Sequence, residues 1–325
     1  MKALIQENVP LAPLTTFGVG GPARYFINAF DEQTVLEAAH WAKDKDLPLF
    51  ILGGGSNLLV ADAGFQGLVV KLAMQGIEWR SPGDFAGSPP LEGESTSKAS
   101  AGGRNNGRTI ITARAGENWD CLVGLAVERN LGGIECLSGI PGSVGGTPVQ
   151  NVGAYGQEVS EVIADVRAYD RHSDRIVELS NEDCGFRYRT SIFNTTAKDR
   201  YVVLTVTFAL TQDSPPAIRY PDVQREFEDK SAPPTLSAVR TAVRRIRQRK
   251  AMLLVEGDPD CRSAGSFFKN PFISELQFVE LEAIAGRAGV KVPRYPTSAG
   301  NVKTAAAWLV EQAGFSKGYS RVPVG

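Results

Sequence analysis

The stretch that decides the fold reads IPGSVGGTPVQNVGAYG and covers residues 140–156. Five of its seventeen residues are glycine, and none of its side chains is charged. Glycine lets a backbone approach a partner closely, because it has no Cβ. The apolar residues Ile140, Pro141 and Val144 suit a flat ring system. The stretch therefore predicts a loop that lies directly against a bound ligand.

A second glycine loop, GGGSN at residues 53–57, follows a strand, a helix and another strand. The strands are RYFINAF at 24–30 and LPLFIL at 47–52, and the helix begins after Asp31. This pattern predicts a βαβ unit and hence a parallel pair of strands. The N–H groups of such a loop can converge on an anion, although a tight turn has the same composition. Two such loops favour a ligand that has a diphosphate and a flat ring, as a flavin dinucleotide has.

The rest of the chain predicts two domains. The strands GLVVKLA and TIITARAG and a helix over about 119–129 precede the opening stretch, and three more strands lie between 162 and 210. The segment DSPP at 213–216 marks a boundary, and three helices follow it. Residues 81–107 are rich in glycine, serine and proline, which predicts a flexible surface insertion.

Composition excludes several function classes. The chain has 325 residues, 42% of them hydrophobic and 22% charged, and a formal net charge of −1. A near-neutral globular chain has no general attraction for nucleic acid or for an anionic membrane. The four cysteines lie far apart and form no pair with ligand spacing, so neither a metal site nor a disulfide framework is expected. The chain shows neither a signal peptide nor a membrane span, which predicts a cytoplasmic protein.

Three weaker motifs receive a structural interpretation. GVGGPA at 18–23 matches a dinucleotide fingerprint in form, but a strand rather than a helix follows it. His40 and His172 are expected to be structural or exposed. One helix carries a set of basic residues, interpreted as a solvated face: Arg240, Arg244, Arg245, Arg247, Arg249 and Lys250.

The segment RSAGSFFKNP at 262–271 is the second unusual stretch. It places the hydroxyl of Ser266, the ammonium of Lys269 and the amide of Asn270 around two phenylalanines. This composition favours the lining of a pocket, while a polar loop anchored by the phenylalanines is the alternative.

Taken together, these stretches resemble the UDP-N-acetylenolpyruvoylglucosamine reductases, the FAD enzymes that make UDP-N-acetylmuramate for peptidoglycan. The resemblance runs from about Leu14 to Gly325 in eight ordered blocks: TTFGVGGPAR, ILGGGSNLLV, AGENW, IPGSVGGTPVQNVGAYG, FRYRTSIF, RYPDV, RSAGSFFKNP and GNVKTAAAWLVEQAG. The block around Tyr220 looks like the tyrosine loop of the type I branch.

The resemblance implies an α+β fold. A vanillyl-alcohol-oxidase-type FAD-binding domain of two α/β subdomains, residues 1–212, precedes a smaller α/β substrate-binding domain, residues 213–325. It implies noncovalent FAD, NADPH as co-substrate, and reduction of UDP-N-acetylenolpyruvoylglucosamine to UDP-N-acetylmuramate by a cytoplasmic monomer.

The resemblance also assigns the site residues. Arg189 would hold the enolate and carboxylate oxygens, and Ser266 would protonate C2. Substrate would lie against Tyr155, Tyr188, Tyr220, Lys250, Lys269 and Asn270. The FAD loops would act through Gly53, Gly54, Gly55, Ser56, Asn57, Ile140, Pro141, Gly142, Ser143, Gly145, Gly146, Thr147, Gln150, Asn151, Gly153 and Ala154. No metal ligand is implied.

One departure and two alternatives stand beside this interpretation. The family continues past the block ending in GYSRVPVG and carries there a glutamate that assists the arginine corresponding to Arg189, so the substrate domain is expected to be incomplete. One alternative is another FAD oxidoreductase of the same fold, although such enzymes often tether flavin through histidine. The other is a non-catalytic module that binds flavin or a nucleotide sugar.

Overall fold

A computed structural model of the chain describes residues 4–81, 108–229, 232–263, 265, 267–295, 297, 300–316 and 319. These residues form two compact units, Met1–Ser263 and Ala264–Gly325. The predicted insertion at 81–107 lies outside the described residues except for Ser81. No helix in the described part of the chain combines the length and the apolar character that crossing a membrane requires.

The first unit begins with a mixed sheet that has α1 packed against it. The strand order is β1-β2-β4-β3, with β1 antiparallel to β2 and the other neighbours parallel. The elements are β1 (Gln6–Pro10), β2 (Pro22–Ala29), α1 (Glu32–Asp44), β3 (Leu49–Leu52) and β4 (Phe65–Leu72). Asp31 caps α1 by accepting a hydrogen bond from the Thr34 N–H, as expected from its type. The predicted strands β2 and β3 are parallel but not neighbours, because β4 lies between them.

A second, antiparallel sheet supplies the other layer of this unit. Its strand order is β11-β10-β12-β6-β5, and β7 pairs with the end of β12. The elements are β5 (Ile77–Arg80), β6 (Arg108–Arg114), α2 (Trp119–Glu128), β7 (Leu131–Gly132), β8 (Gly153–Ala154), β9 (Gln157–Glu158), β10 (Ile163–Asp170), β11 (Arg175–Ser180) and β12 (Tyr201–Gln212). Buried side chains of α1, β4, α2 and β12 belong to one apolar core, which joins the two sheets.

Two further helices, α3 (Pro221–Arg225) and α4 (Leu236–Arg249), complete the first unit. The apolar face of α4, which includes Val239, Val243 and Ile246, packs with the buried Cys136 and Tyr155. Removing such side chains from water stabilises the packed state by about 1.5–3 kcal/mol each. This packing explains why the compact unit ends after residue 263, whereas composition placed a domain boundary at 213. The assignment of cofactor binding to 1–212 and substrate binding to 213–325 stays a prediction.

The second unit is small and has its own core. It contains β13 (Phe272–Ser274), α5 (Glu275–Arg287), β14 (Asn301–Lys303) and α6 (Ala306–Gln312). The strands β13 and β14 pair antiparallel. Phe278, Ala285, Val292 and Val302 form the buried cluster.

Candidate cofactor and substrate site

The two glycine loops meet backbone to backbone. A Cβ added to Gly54 would lie 2.6 Å from the Cα of Gly142 and 2.8 Å from the N of Ser143. Real Cβ atoms essentially never come so close to another heavy atom, so only glycine fits at position 54. The loops are also joined by the Asn57 side-chain amide, which donates to Gln150 Oε1 at 2.9 Å. The structure therefore brings together two segments that the sequence separates by more than eighty residues.

Elements on either side hold the second loop. Gly142 accepts from the N–H of Trp119 at 3.1 Å, and Val144 donates to the carbonyl of Glu117 at 2.9 Å. Gly145 fits here because an added Cβ would lie 2.5 Å from the Cβ of Ala115. The start of α2 and the end of β6 thus fix the conformation of the loop.

The meeting point of the loops offers unused hydrogen-bond donors. Among the residues that the structure describes, the N–H groups of Gly54, Gly55, Ser56 and Asn57 find no acceptor. The hydroxyl of Ser143 is buried, and within the same described residues it has no hydrogen-bond partner. Burying a hydroxyl without a partner costs about 1–3 kcal/mol. These donors therefore suit a ligand with phosphate or carbonyl oxygens.

A tight turn places Arg189 beside the second loop. The backbone groups of Arg187 and Thr190 exchange hydrogen bonds of 2.9 and 3.0 Å, and Tyr188 and Arg189 form the tip of the turn. Arg189 has a φ of 54°, a left-handed conformation that is uncommon for a residue other than glycine. The Asn151 side chain donates to the carbonyl of Arg187 at 3.1 Å. The turn is thereby tied to the loop through a buried amide.

A buried arginine on α4 lies under the start of the same loop. Arg247 Nε donates to the carbonyl of Gly139 at 3.0 Å, and its Nη2 donates to the carbonyl of Met252 at 2.7 Å. No carboxylate in the described part of the chain pairs with this guanidinium. Burial lowers the pKa of Arg247, and burial raises the pKa of the adjacent Tyr155. An unpaired buried cation fits a site that receives an anionic ligand.

Comparison with known proteins identifies the family. The FAD binding domain family matches residues 23–180, and the C-terminal domain of UDP-N-acetylenolpyruvoylglucosamine reductase matches residues 258–325. The UDP-N-acetylenolpyruvoylglucosamine reductase of Thermobifida fusca is 42% identical over 335 residues, covering 100% of this chain and 86% of the relative. This chain belongs to the UDP-N-acetylenolpyruvoylglucosamine reductase family.

Other members agree with this placement. The reductase of Streptomyces coelicolor is 43% identical over 328 residues, covering 98% of this chain and 78% of the relative. The crystal structure of the Thermus caldophilus reductase has a TM-score of 0.53 and 25% identity, covering 92% of this chain and 87% of that chain. The predicted family, fold class and FAD-binding domain are confirmed. The unused N–H groups, the Ser143 hydroxyl and the Arg247 guanidinium fit the phosphate and ring oxygens of FAD.

Two of the residues expected to contact substrate in this reductase lie together on the first unit. The rings of Tyr155 and Tyr220 meet edge to face with centroids 5.6 Å apart. Tyr220 directly precedes α3. Asp222 of α3 forms an ion pair with Lys250, which follows α4, with 2.5 Å between Oδ2 and Nζ. Lys250 is therefore paired in this structure, and α3 and the end of α4 are held together at the tyrosine.

The solvated-face interpretation of α4 holds for Arg245, Arg249 and Lys250, which are exposed, but not for Arg247, which is buried. Arg240 and Arg244 pair with Asp120 of α2. Arg245 and Arg249 pair with Glu226 at 3.2 and 2.6 Å. Acidic residues from other parts of the chain therefore pair with four of the arginines on this helix. Arg247 was predicted to be solvated with its basic neighbours, but it is buried. Its spacing from Val243 and Ile246 on the helix is the signal that indicates a buried position.

Some predicted FAD contacts point their side chains into the protein. Asn151 is 1% exposed and also donates to Glu158 at 2.8 Å. Thr147 is 2% exposed and donates to the carbonyl of Val144 at 2.8 Å. Their side chains shape the loop, whereas Gly54, Gly55, Ser56, Asn57 and Ser143 carry the donors that remain unused among the described residues. Gly53, Gly55, Ile140, Pro141, Gly146, Gln150, Gly153 and Ala154 lie in the same two loops.

The second unit carries the remaining predicted residues. Asn270 Oδ1 accepts from the Ala306 N–H at 2.9 Å, so this amide caps the start of α6. Lys269 is exposed. Ser266 lies outside the described residues.

Proposed function

We propose that this chain reduces UDP-N-acetylenolpyruvoylglucosamine to UDP-N-acetylmuramate with NADPH and noncovalently bound FAD. The observation that carries the proposal is the junction of the two glycine loops, where N–H groups and the Ser143 hydroxyl have no hydrogen-bond partner among the residues that the structure describes. When bound, FAD would serve as the hydride carrier between NADPH and the enolpyruvyl group.

Arg189 is the residue that we assign to the developing negative charge on the substrate. Its guanidinium lies 5.8 Å from the ring centroid of Tyr188, and no carboxylate among the described residues pairs with it. A guanidinium presents a fixed fork of donors, so it can hold both oxygens of a carboxylate at once. Such a group stabilises an enolate oxygen most when it is already in place before charge develops. The hydrogen-bonded turn at 187–190 supports this proposal, because it fixes the backbone that carries Arg189.

Ser266 is the proposed proton donor to C2 of the substrate, on the strength of its motif. A serine hydroxyl is a weak acid, but a carbon with carbanion character is a stronger base. Lys250, Lys269 and Asn270 are proposed to bind the nucleotide diphosphate and sugar. Tyr155, Tyr188 and Tyr220 are proposed to cover the substrate. For Lys250 this requires that it release Asp222 or bind substrate together with it.

The proposal includes where the enzyme acts and in which oligomeric state. The reaction concerns a nucleotide-linked precursor, and we expect the enzyme to act in the cytoplasm as a monomer. We expect binding neither to nucleic acid nor to a membrane.

The decisive experiment is a steady-state assay of NADPH oxidation that depends on the enolpyruvyl nucleotide. In stopped flow, Ser266→Ala should leave flavin reduction by NADPH nearly intact and slow flavin reoxidation by about 10²–10⁴-fold. Equal slowing of both half-reactions would contradict the role of Ser266.

Two controls separate the proposal from its alternatives. Acid precipitation should release the flavin, because neither loop holds a histidine or cysteine that could tether it. Flavin retained in the pellet would favour a tethered oxidase. Reduction by NADPH without any turnover of the enolpyruvyl nucleotide would favour a binding module or another oxidoreductase.

A further inference from the structure

Both histidines of the chain line one cavity that is separate from the cofactor loops. The cavity measures about 340 Å³ and lies between α1, the turn that joins β10 to β11, and the loop before β12. His40 contributes from α1 and His172 from the turn. Leu47, which precedes β3, also lines it, whereas the loop at 53–57 follows β3. The strand β3 therefore separates this cavity from the first cofactor loop.

Three cationic side chains and two carboxylates, Asp174 and Asp199, line the cavity. Lys43, Arg171 and Lys198 all line it. Within the described residues, neither lysine has a carboxylate partner, and Arg171 donates to a backbone oxygen, the carbonyl of Asp199, at 2.6 Å. The three positive charges are thus not neutralised by direct ion pairs.

The carboxylate of Asp174 is already engaged by its neighbours. It contacts His40 Nε2 at 2.6 Å and accepts from the Tyr169 hydroxyl at 2.7 Å. Both contacts lower the pKa of Asp174. Asp174 therefore holds His40 in place on the cavity wall.

We propose that this cavity binds a small phosphate-bearing anion. Ammonium and guanidinium groups are the donors that phosphate prefers, and His172 adds a ring nitrogen to the same wall. The cavity volume lies near the lower end of the range of ligand pockets, about 300–1,000 Å³, and leaves room for a phosphate or a diphosphate group. The strand order and the position of β3 make this a second site, distinct from the cofactor junction.

A ligand here would join the two layers of the first unit. Lys43 belongs to the helix that packs on the first sheet, and Arg171 belongs to the second sheet's hairpin turn. The Arg167–Glu32 ion pair, at 3.2 Å, already links the same helix to β10. Because the cavity exists only in the folded chain, a ligand that binds it raises the thermal midpoint, and the midpoint continues to rise with the logarithm of ligand concentration after the site is full.

The test uses the FAD-loaded full chain with isotope-labelled histidine, in a buffer free of phosphate. The chain has two histidines, so two ring signals report on this cavity alone, and His172→Gln assigns them. Inorganic phosphate, pyrophosphate and sodium chloride are titrated at matched ionic strength. Saturable shifts of both histidine signals are expected with phosphate or pyrophosphate. The anion with the lower dissociation constant defines the ligand class. Absence of saturation, or equal shifts with chloride, overturns the proposal.

Variants of exposed lysines provide the matched comparison. Lys43→Ala and Lys198→Ala should each weaken binding by at least about tenfold, since each removes a charge-assisted hydrogen bond. Lys45→Ala, an exposed lysine two residues along the same segment and outside the cavity lining, should leave binding unchanged. Unchanged FAD loading checks that each variant is folded. Equal affinities for the Lys43, Lys198 and Lys45 variants overturn the assignment.

Discussion

The contact between Gly54 and the second glycine loop sets the geometry of the proposed FAD site. Gly54→Ala would place a methyl group 2.6 Å from the Cα of Gly142, whereas ordinary van der Waals contact begins near 3.4 Å. The obstructing atoms belong to backbone, which cannot rotate away as a side chain can. The two loops must therefore separate by about 0.8 Å, the difference between these distances.

This separation is large for hydrogen bonds to a phosphate. A donor–acceptor distance of about 2.9 Å would grow to about 3.7 Å, beyond the range of a hydrogen bond. Losing one hydrogen bond to a charged group costs about 1.5–3 kcal/mol, which corresponds to roughly 10- to 150-fold in affinity. The strain in the folded chain adds a loss of about 1–3 kcal/mol in the free energy of unfolding.

The measurement is a fluorescence titration of apoprotein with FAD, together with urea unfolding of the apoprotein. Gly53→Ala is the graded comparison, because its Cβ would meet only the movable Ser143 Oγ at 2.7 Å, so the loss should be smaller. Gly286→Ala is the control for FAD affinity, because no described residue lies within 4 Å of the added Cβ; in urea it should be slightly stabilising, since alanine favours the helix that contains it. If Gly54→Ala binds FAD as tightly as Gly53→Ala, the close approach of the loops does not control the site.

Three further predictions concern single side chains. Ser143→Ala removes a buried hydroxyl that has no hydrogen-bond partner among the described residues, so apoprotein stability should hold or rise while FAD affinity falls by about tenfold; a parallel loss of both would contradict the proposed contact. Arg189→Lys should leave flavin reduction by NADPH unchanged and slow reoxidation by the enolpyruvyl nucleotide about 10²–10³-fold in stopped flow, because a lysine lacks the fork of donors; equal effects on both steps would refute the role. Arg200 donates to both carboxylate oxygens of Asp170 at 2.9 and 2.7 Å and lowers its pKa, so Asp170→Asn should lower the free energy of unfolding at pH 7. A depressed pKa stabilises the fold above the unfolded value of about 3.9, so this difference in urea unfolding should shrink as the pH falls below 4, and a difference independent of pH would count against the ion pair.

Local sequence determined the elements and the loops of this protein. Asp31 caps α1, and the apolar spacing of Leu122, Val123 and Ala126 defines α2. These features follow from neighbours within a few residues, so periodicity and capping chemistry suffice to predict them. The glycine content of 53–57 and 140–156 likewise predicted close backbone approach before any partner was known. The ordered motifs then indicated the family.

The tertiary structure alone decided which separated groups meet. It placed β4 between β2 and β3, because the order of strands depends on how the whole sheet closes over its core rather than on the connection between two strands. It buried Arg247 while pairing its neighbours on α4 with Asp120 and Glu226. Charge composition cannot reveal such pairing, because the partners are contributed by elements more than a dozen residues away. The cavity between α1 and the β10–β11 turn arises in the same way, from packing of segments that share no local sequence signal.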